Sequence, residues 1–385
     1  MIGFELDDEQ KMFRETAHEF AVRELRPLAL ECDRTHSFPP ELIKKGHQAG
    51  LISYAYPEEY GGGGISDRIA WSLIREELAW GCPGLTIAMM ASNLAATPIL
   101  HMGSEAQKKK YISRLCDPED LKVAAMGMTE PGAGSDVAGI RAVARKKGDR
   151  YLPNGTKTFI TNGGIADVTV IYARMEGTAG MKGMTAFIID GRPKGFSQGK
   201  VEEKMGILAS HTAELIMEDV EVPEEDRLGP EGEAFLLSMR MFEESRINVA
   251  SMAIGIGRAA LEIALDYAKE RSQFGQPIIK FQGVSFKIAD MAMQIEAARL
   301  LVWRAAWLAN QGRKFNKESA MAKCMASEAA SFITDLAIQI LGGYGYMREY
   351  LVEKLHRDAR VFRLFEGTSE VMRLIMAREL ERHGL

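Results

Sequence analysis

The chain has 385 residues, of which 46% are hydrophobic and 26% charged, with a net charge of −5. That length allows two or three domains, the composition is that of an ordinary globular protein, and the acidic balance gives no footing for a nucleic acid or an anionic membrane surface as partner. The four cysteines (Cys32, Cys82, Cys116 and Cys324) form no Cys-x-x-Cys pair, and the seven histidines show no metal-binding spacing; neither a disulfide framework nor a metal site is expected, and a reduced, cytosol-like compartment is.

Taken in chain order, Met1–Asp8 is acidic and lacks the apolar run of a signal peptide. Residues 1–120 read as a helical domain. Asp7 or Asp8 can cap a helix whose apolar positions Met12, Phe13, Ala17, Phe20 and Ala21 follow helical spacing. Pro39 and Pro40 open another segment, Gly61–Gly64 make a break, and Ile65–Leu100 is apolar nearly throughout, as one buried helix would be. No run of 18 apolar residues occurs, so no membrane span is expected.

The pattern changes near Leu121. Over 121–232, short β-type runs such as Val168–Tyr172, Thr185–Ile189 and Leu215–Val222 are separated by turn residues, which predicts an antiparallel sheet or small barrel. Helical periodicity returns over 233–385. Ile288, Met291, Ile295, Ala298, Val302 and Ala305 mark one bundle seam, and Met325, Ala329, Phe332, Leu336 and Ile340 another. Helices, then sheet, then bundle is an α+β arrangement.

Two glycine-containing strings stand out. Gly255-Ile256-Gly257-Arg258-Ala259-Ala260 matches a dinucleotide fingerprint, but Ala250–Ala268 is helical on both sides with no strand before it. A fingerprint needs a strand feeding a turn, so small residues for close helix packing explain the match. Met126-Gly127-Met128-Thr129-Glu130-Pro131-Gly132-Ala133-Gly134-Ser135-Asp136 lies at the entry to the β region and could bring amides and hydroxyls to an anion or ring edge.

That eleven-residue string resembles the flavin-contact segment of the acyl-CoA dehydrogenase family. Phe159-Ile160-Thr161, Arg271-Ser272-Gln273-Phe274-Gly275, Gln339-Ile340-Leu341-Gly342-Gly343 and Phe365-Glu366-Gly367-Thr368-Ser369 resemble its other blocks, in family order. The resemblance covers nearly the whole chain and implies an N-terminal helical domain, a middle β domain and a C-terminal four-helix bundle. It implies FAD as cofactor, held by Met126, Met128, Thr129, Gly134, Ser135, Phe159, Ile160 and Thr161, with Thr161 near the flavin N5. Family members often have Trp where Phe159 stands. Arg271, Gln273, Phe274, Gln339, Gly342 and Gly343 would grip the FAD of a neighbouring subunit, which implies a homotetramer built as a dimer of dimers. Gln282, Thr368 and Glu370 are also assigned to the cofactor by the resemblance.

The implied reaction is α,β-dehydrogenation of an acyl-CoA thioester to the trans-2-enoyl-CoA. Glu366 takes the α proton, the β hydride passes to the flavin, and electrons leave to electron-transfer flavoprotein. The Glu366 N–H and a flavin ribityl hydroxyl would polarise the thioester carbonyl. The helix starting near Thr368 favours the Glu366 carboxylate by up to ~2 kcal/mol, and desolvation opposes it; with substrate bound, desolvation is expected to dominate. Some relatives carry the base at the position matching Ser245, where serine cannot serve, although Glu243 and Glu244 are adjacent. Ser135, Glu243, Arg246 and Gly367 match positions lining the acyl-CoA channel.

Met90 and Phe365 stand where medium-chain members often have Glu and Tyr, and Gly84–Asn93 has no arginine. An apolar acyl group is therefore expected over a dicarboxylate. Leu208 departs from an arginine common in the family's Met-Gly-x-Arg, without a functional account. Rival readings are an enoyl-CoA reductase or acyl-CoA oxidase of the same family, and a DNA-binding flavin-containing relative that would need a basic surface. The expected location is the cytoplasm, or the mitochondrial matrix if a transit peptide has been removed.

Overall fold

The computed structural model describes residues 5–120 and 122–384, so Leu121, where the pattern changes, and the first four residues of Met1–Asp8 lie outside the described residues. The first region holds α1 (Asp8–Phe20), α2 (Ala29–Thr35), α3 (Glu41–Gln48), α4 (Arg68–Gly81), α5 (Pro83–Met90), α6 (Ser92–Met102) and α7 (Glu105–Cys116). Asp7 caps α1 through a reciprocal pair with Gln10, and Ala17, Phe20 and Ala21 are buried as expected. Met12 instead points outward, 53% exposed.

The single helix expected over Ile65–Leu100 is three. Cys82 is extended (φ −162°, ψ 111°) and Pro83 occupies the first turn of α5. Proline lacks the N–H that an uninterrupted helix would need there, so the chain restarts.

The second region is one sheet of β1 (Ala124–Gly127), β2 (Val143–Lys147), β3 (Arg150–Thr161), β4 (Val168–Met175), β5 (Met184–Asp190), β6 (Phe196–Val201), β7 (Thr212–Met217), β8 (Val222–Pro223) and β9 (Arg227–Leu228). Its order is β6-β7-β3-β2-β4-β5-β9, with β1 beside β4 and β8 beside β3. Most pairings are antiparallel as expected, but β4 lies parallel to both β1 and β2, so the sheet is mixed. Leu215–Val222 is not one strand: Asp219 takes φ +50° and turns the chain between β7 and β8. Val220 and Val222 are buried all the same.

The third region holds α8 (Ala234–Glu270), the ribbon β10 (Ser272–Gln273) and β11 (Gln276–Pro277), then α9 (Gln282–Asn310), α10 (Asn316–Leu341), α11 (Leu351–Val361) and α12 (Ser369–His383). The α9 seam from Met291 to Ala305 is buried as expected. On α10 Ala329 and Ile340 are buried as expected, but the buried stripe also takes in Ala322, Ala326, Ala330, Ile333 and Ala337, and Phe332 is 43% exposed. Small residues let α8 and α10 approach closely, which turns the larger side chains outward.

Helix α4 packs along α8 with Gly255 at that crossing, while Gly257 faces α10 and α9. A Cβ on Gly255 would sit 2.2 Å from the Glu76 carbonyl oxygen, so only glycine fits. Among the described residues, three stretches, Pro83–Met102, Ala234–Glu270 and Asn316–Tyr346, are long and apolar enough to cross a membrane by length and composition. This qualifies the expectation drawn from the lack of an unbroken apolar run. Most of each apolar window, 67%, 72% and 56% respectively, is buried inside the protein.

Candidate active site

A cavity of about 600 Å³ opens between α4, the α5–α6 junction, α8 and the bend that joins α11 to α12. Glu366 sits in that bend at φ +54°, a backbone conformation that costs energy for any residue but glycine. Its neighbours hold it there. Phe365 packs edge-on against buried Phe362 at 4.9 Å, the Ser369 N–H donates to the Arg363 carbonyl at 3.1 Å, and the Thr368 side chain caps α12 by accepting from Val371 N–H. Gly367 follows at φ +93°, and its carbonyl accepts from the buried Lys323 ammonium on α10.

The Glu366 carboxylate is half-buried on the cavity wall and accepts a 2.8 Å hydrogen bond from the Ser245 hydroxyl on α8. Desolvation raises its pKa above the usual carboxylate range, opposed by the Ser245 hydrogen bond and the charges of Lys323 and Arg246. The direction matches what a base working near neutrality needs. Among the described residues, nothing accepts a hydrogen bond from the Glu366 N–H, which leaves it available to a ligand.

Thr161 lines the same cavity. Phe159, two residues earlier, takes φ +60° where β3 bulges against β7, and its ring is 66% exposed. A bulge that turns a large aromatic ring outward leaves a bare flat platform, which suits a planar cofactor. Ile160 is buried beneath it. The Met126–Ser135 string leaves β1 and folds over β3. Glu130 and Ala133 exchange backbone hydrogen bonds, the Thr129 carbonyl accepts from Thr158 N–H, and Met128 is buried. Lys157, fully buried, donates to the Met128 carbonyl at 3.1 Å and to Glu130 at 2.7 Å, and Glu130 also accepts from the Arg141 and Ala142 amides. This pins the string from below and leaves Gly134 and Ser135 exposed above. Neither they nor Thr129 line the Glu366 cavity.

Arg271, Gln273, Gly342 and Gly343 meet at a separate concavity of about 550 Å³ with Tyr267, Ile340, Tyr344 and Met347. A Cβ on Gly342 or Gly343 would meet nothing within 4 Å, so the surface there is open. Phe274 is 95% exposed, and Gln282 and Gln339 are exposed nearby without lining the concavity. Most residues expected to hold FAD thus fall in two places on one chain, with Thr368 and Glu370 at the start of α12. The open platform at Phe159 fits a flat ring, and the arginine-bearing glycine cradle fits a diphosphate.

Arg246 is buried and donates to Asn316 at 2.8 Å, which in turn donates to Glu379 at 3.2 Å. Glu243 beside it has a pKa raised by desolvation, and Arg246 opposes that rise. Glu244 pairs with Arg68 at 2.9 Å. Glu370 is exposed, with a pKa lowered first by its own backbone N–H at the start of α12 and next by Thr368. Among the described residues, no group of three or more His, Cys, Asp or Glu side chains is placed to hold a metal ion.

Helices, mixed sheet and helices, with a desolvated carboxylate on a cavity wall and an exposed aromatic ring on a nearby β-bulge, fit an oxidoreductase of the flavoprotein kind. Three family models match: the N-terminal domain of acyl-CoA dehydrogenase over residues 7–119, the middle domain over 125–220 and the C-terminal domain over 233–381. The mitochondrial short-chain specific acyl-CoA dehydrogenase of Rattus norvegicus is 43% identical over 98% of this chain and 91% of its own. The solved butyryl-CoA dehydrogenase of Megasphaera elsdenii superposes with a TM-score of 0.95 at 43% identity, covering 99% of this chain and 100% of that one. A chain from structural work on the electron transferring flavoprotein of Acidaminococcus fermentans also reaches 0.95, at 44% identity and with the same coverage. The chain belongs to the acyl-CoA dehydrogenase family, whose members are flavin-dependent oxidoreductases that use FAD.

Sequence reasoning missed several residues at the site. Ser245, set aside because serine cannot be a base, is the hydrogen-bond partner of the base. Lys323 supports the bend, and a lysine inside the apolar stripe of α10 was its available signal. Met90 and Phe365 line the cavity as expected, but so do Arg68 and Arg75 from α4. Gly84–Asn93 carries no arginine, as read, but the cavity draws cations from the neighbouring α4 and α7.

Proposed function

We propose that this protein dehydrogenates an acyl-CoA thioester between Cα and Cβ to give the trans-2-enoyl-CoA, with Glu366 as the base that removes the α proton. The observation that carries the reading is the Glu366 carboxylate, desolvated on the cavity wall and hydrogen-bonded by Ser245. The unengaged Glu366 N–H donates to the thioester oxygen, which stabilises the enolate character that develops as the proton leaves. Burial keeps the carboxylate basic, and the Ser245 hydroxyl holds its second oxygen so that the first faces the substrate. Bound FAD supplies the two-electron acceptor for the hydride from Cβ. Phe159, Thr161 and the Met126–Ser135 string hold its ring, and Arg271, Gln273, Gly342 and Gly343 of a neighbouring copy hold its diphosphate. The separation of these two groups on one chain supports a shared site, and with it a homotetramer built from dimers. Exposed Phe274, Phe286, Met293 and Phe332 supply apolar surface for such contacts.

Electron-transfer flavoprotein is the proposed acceptor, and the structural likeness to a chain from work on that protein supports it. The bacterial cytoplasm or the mitochondrial matrix is the proposed location, in keeping with four buried, unbridged cysteines. The test is anaerobic mixing of the yellow holoenzyme with acyl-CoAs while flavin absorbance is followed. Bleaching by wild type and its loss in Glu366→Gln support the reading. Bleaching of Glu366→Gln at the wild-type rate overturns it.

A further inference from the structure

We infer that Arg75 forms an anion-recognition site at the acyl end of the cavity, and that the preferred substrate is a dicarboxylyl-CoA whose distal carboxylate meets the Arg75 guanidinium. The inference rests on the dehydrogenase reading above and reverses the apolar acyl group expected from Gly84–Asn93.

Arg75 lies on α4, is only 7% exposed, and lines the Glu366 cavity together with Met90 and Asn93. Its Nε donates to the Tyr54 hydroxyl at 2.8 Å. Tyr54 is itself buried, with a phenol pKa raised by desolvation, so it offers no negative charge. Most carboxylates nearest in sequence or along the wall are engaged elsewhere, and Glu59, also on the wall, is exposed and forms no ion pair with Arg75. Glu76 pairs with Arg258 and Arg299, Glu77 with Arg258 and His18, Glu244 with Arg68, and Glu105 with Lys108. Glu366 is bonded to Ser245. Among the described residues no acid forms an ion pair with Arg75, and neither of its terminal nitrogens has a hydrogen-bond partner.

A buried guanidinium without a counter-charge is costly, and a protein keeps one where a ligand completes it. The two terminal nitrogens present parallel N–H donors in the geometry that matches a carboxylate. Asn93 adds to this. Its amide oxygen accepts from the Tyr56 hydroxyl, which leaves its NH₂ group as a further donor on the cavity wall. A methyl-terminated acyl chain would leave all these donors unpaired when it displaced water from them.

The experiment compares kcat/KM for butyryl-, hexanoyl-, glutaryl-, adipyl- and pimelyl-CoA, together with anaerobic flavin bleaching, in wild type, Arg75→Met and Arg75→Lys. The expected result is that one dicarboxylyl-CoA is the best substrate of wild type. The ratio of its kcat/KM to that of hexanoyl-CoA falls on the order of 100-fold in Arg75→Met and by less in Arg75→Lys. Two results overturn the inference but leave the dehydrogenase reading intact: butyryl- or hexanoyl-CoA as the best wild-type substrate, or the same ratio in Arg75→Met as in wild type. If no acyl-CoA bleaches the flavin, the dehydrogenase reading falls, and the inference with it.

Discussion

Helix α4 carries charges into two regions that treat them in opposite ways. Along its seam with α8 and α9, Glu76 and Glu77 are buried and matched by Arg258, Arg299 and His18. Facing the cavity, Arg75 is just as buried and unmatched by any acid, while Glu366 across the bend keeps a carboxylate whose desolvation only a hydroxyl and more distant cations offset. Buried charge that the protein itself completes serves the fold. Buried charge left incomplete beside a cavity is a candidate for chemistry or recognition.

The comparison can be broken most sharply at Glu366. Glu366→Gln keeps the shape and removes the base, so flavin reduction by acyl-CoA should fall about 10³-fold or more while FAD content is retained. Its thermal stability should not fall at neutral pH. A carboxyl whose folded pKa is raised favours folding only while protonated, and that advantage is lost as pH rises through the folded value. Calorimetry of both proteins at neutral pH checks the sign.

In the matched seam the result should be the reverse. Arg258→Met leaves Glu76 and Glu77 short of a partner. With Arg299 and His18 still present, the cost should be on the order of 2–3 kcal/mol, read as a lower denaturation midpoint with kcat/KM little changed. Arg271→Ala, at the open concavity, should weaken FAD retention about tenfold through a lost charge-assisted bond. Flavin released on dilution measures it, and a flavin-loaded monomer in light scattering would contradict the shared site. The smallest effect is expected for Ser245→Ala. Its hydroxyl bonds the charged form of Glu366, so removing it raises the Glu366 pKa further and moves the acid limb of the kcat/KM profile to higher pH.

The parts of this picture that were legible in the sequence are local ones. The capped start of α1, the α9 seam and the Phe365–Ser369 bend depend on neighbouring residues, and a short string announces them. What was not legible depends on contacts between distant segments. Ser245 reaches Glu366 across 121 residues and Lys323 reaches Gly367 across 44, and neither pairing has a sequence period. Arg75 belongs to a helix whose seam is set by Gly255 lying against the Glu76 carbonyl, a packing detail that decides which side chain turns toward the cavity. The α10 stripe was only partly legible for a similar reason: Ala329 and Ile340 are buried, but alanines rather than Phe332 fill much of the rest of the buried face.

The most direct test of the central claim separates proton removal from hydride transfer. An acyl-CoA analogue with sulfur in place of Cβ can lose its α proton but has no β hydride to give. α-Deuterated analogue is incubated with wild type, Glu366→Gln, Glu243→Gln and Glu244→Gln, and deuterium wash-out is followed by NMR. The account predicts wash-out by wild type and by both of the latter variants, and none above background with Glu366→Gln. Wash-out by Glu366→Gln at the wild-type rate, or its loss only when Glu243 or Glu244 is changed, would contradict the assignment of Glu366 as the base.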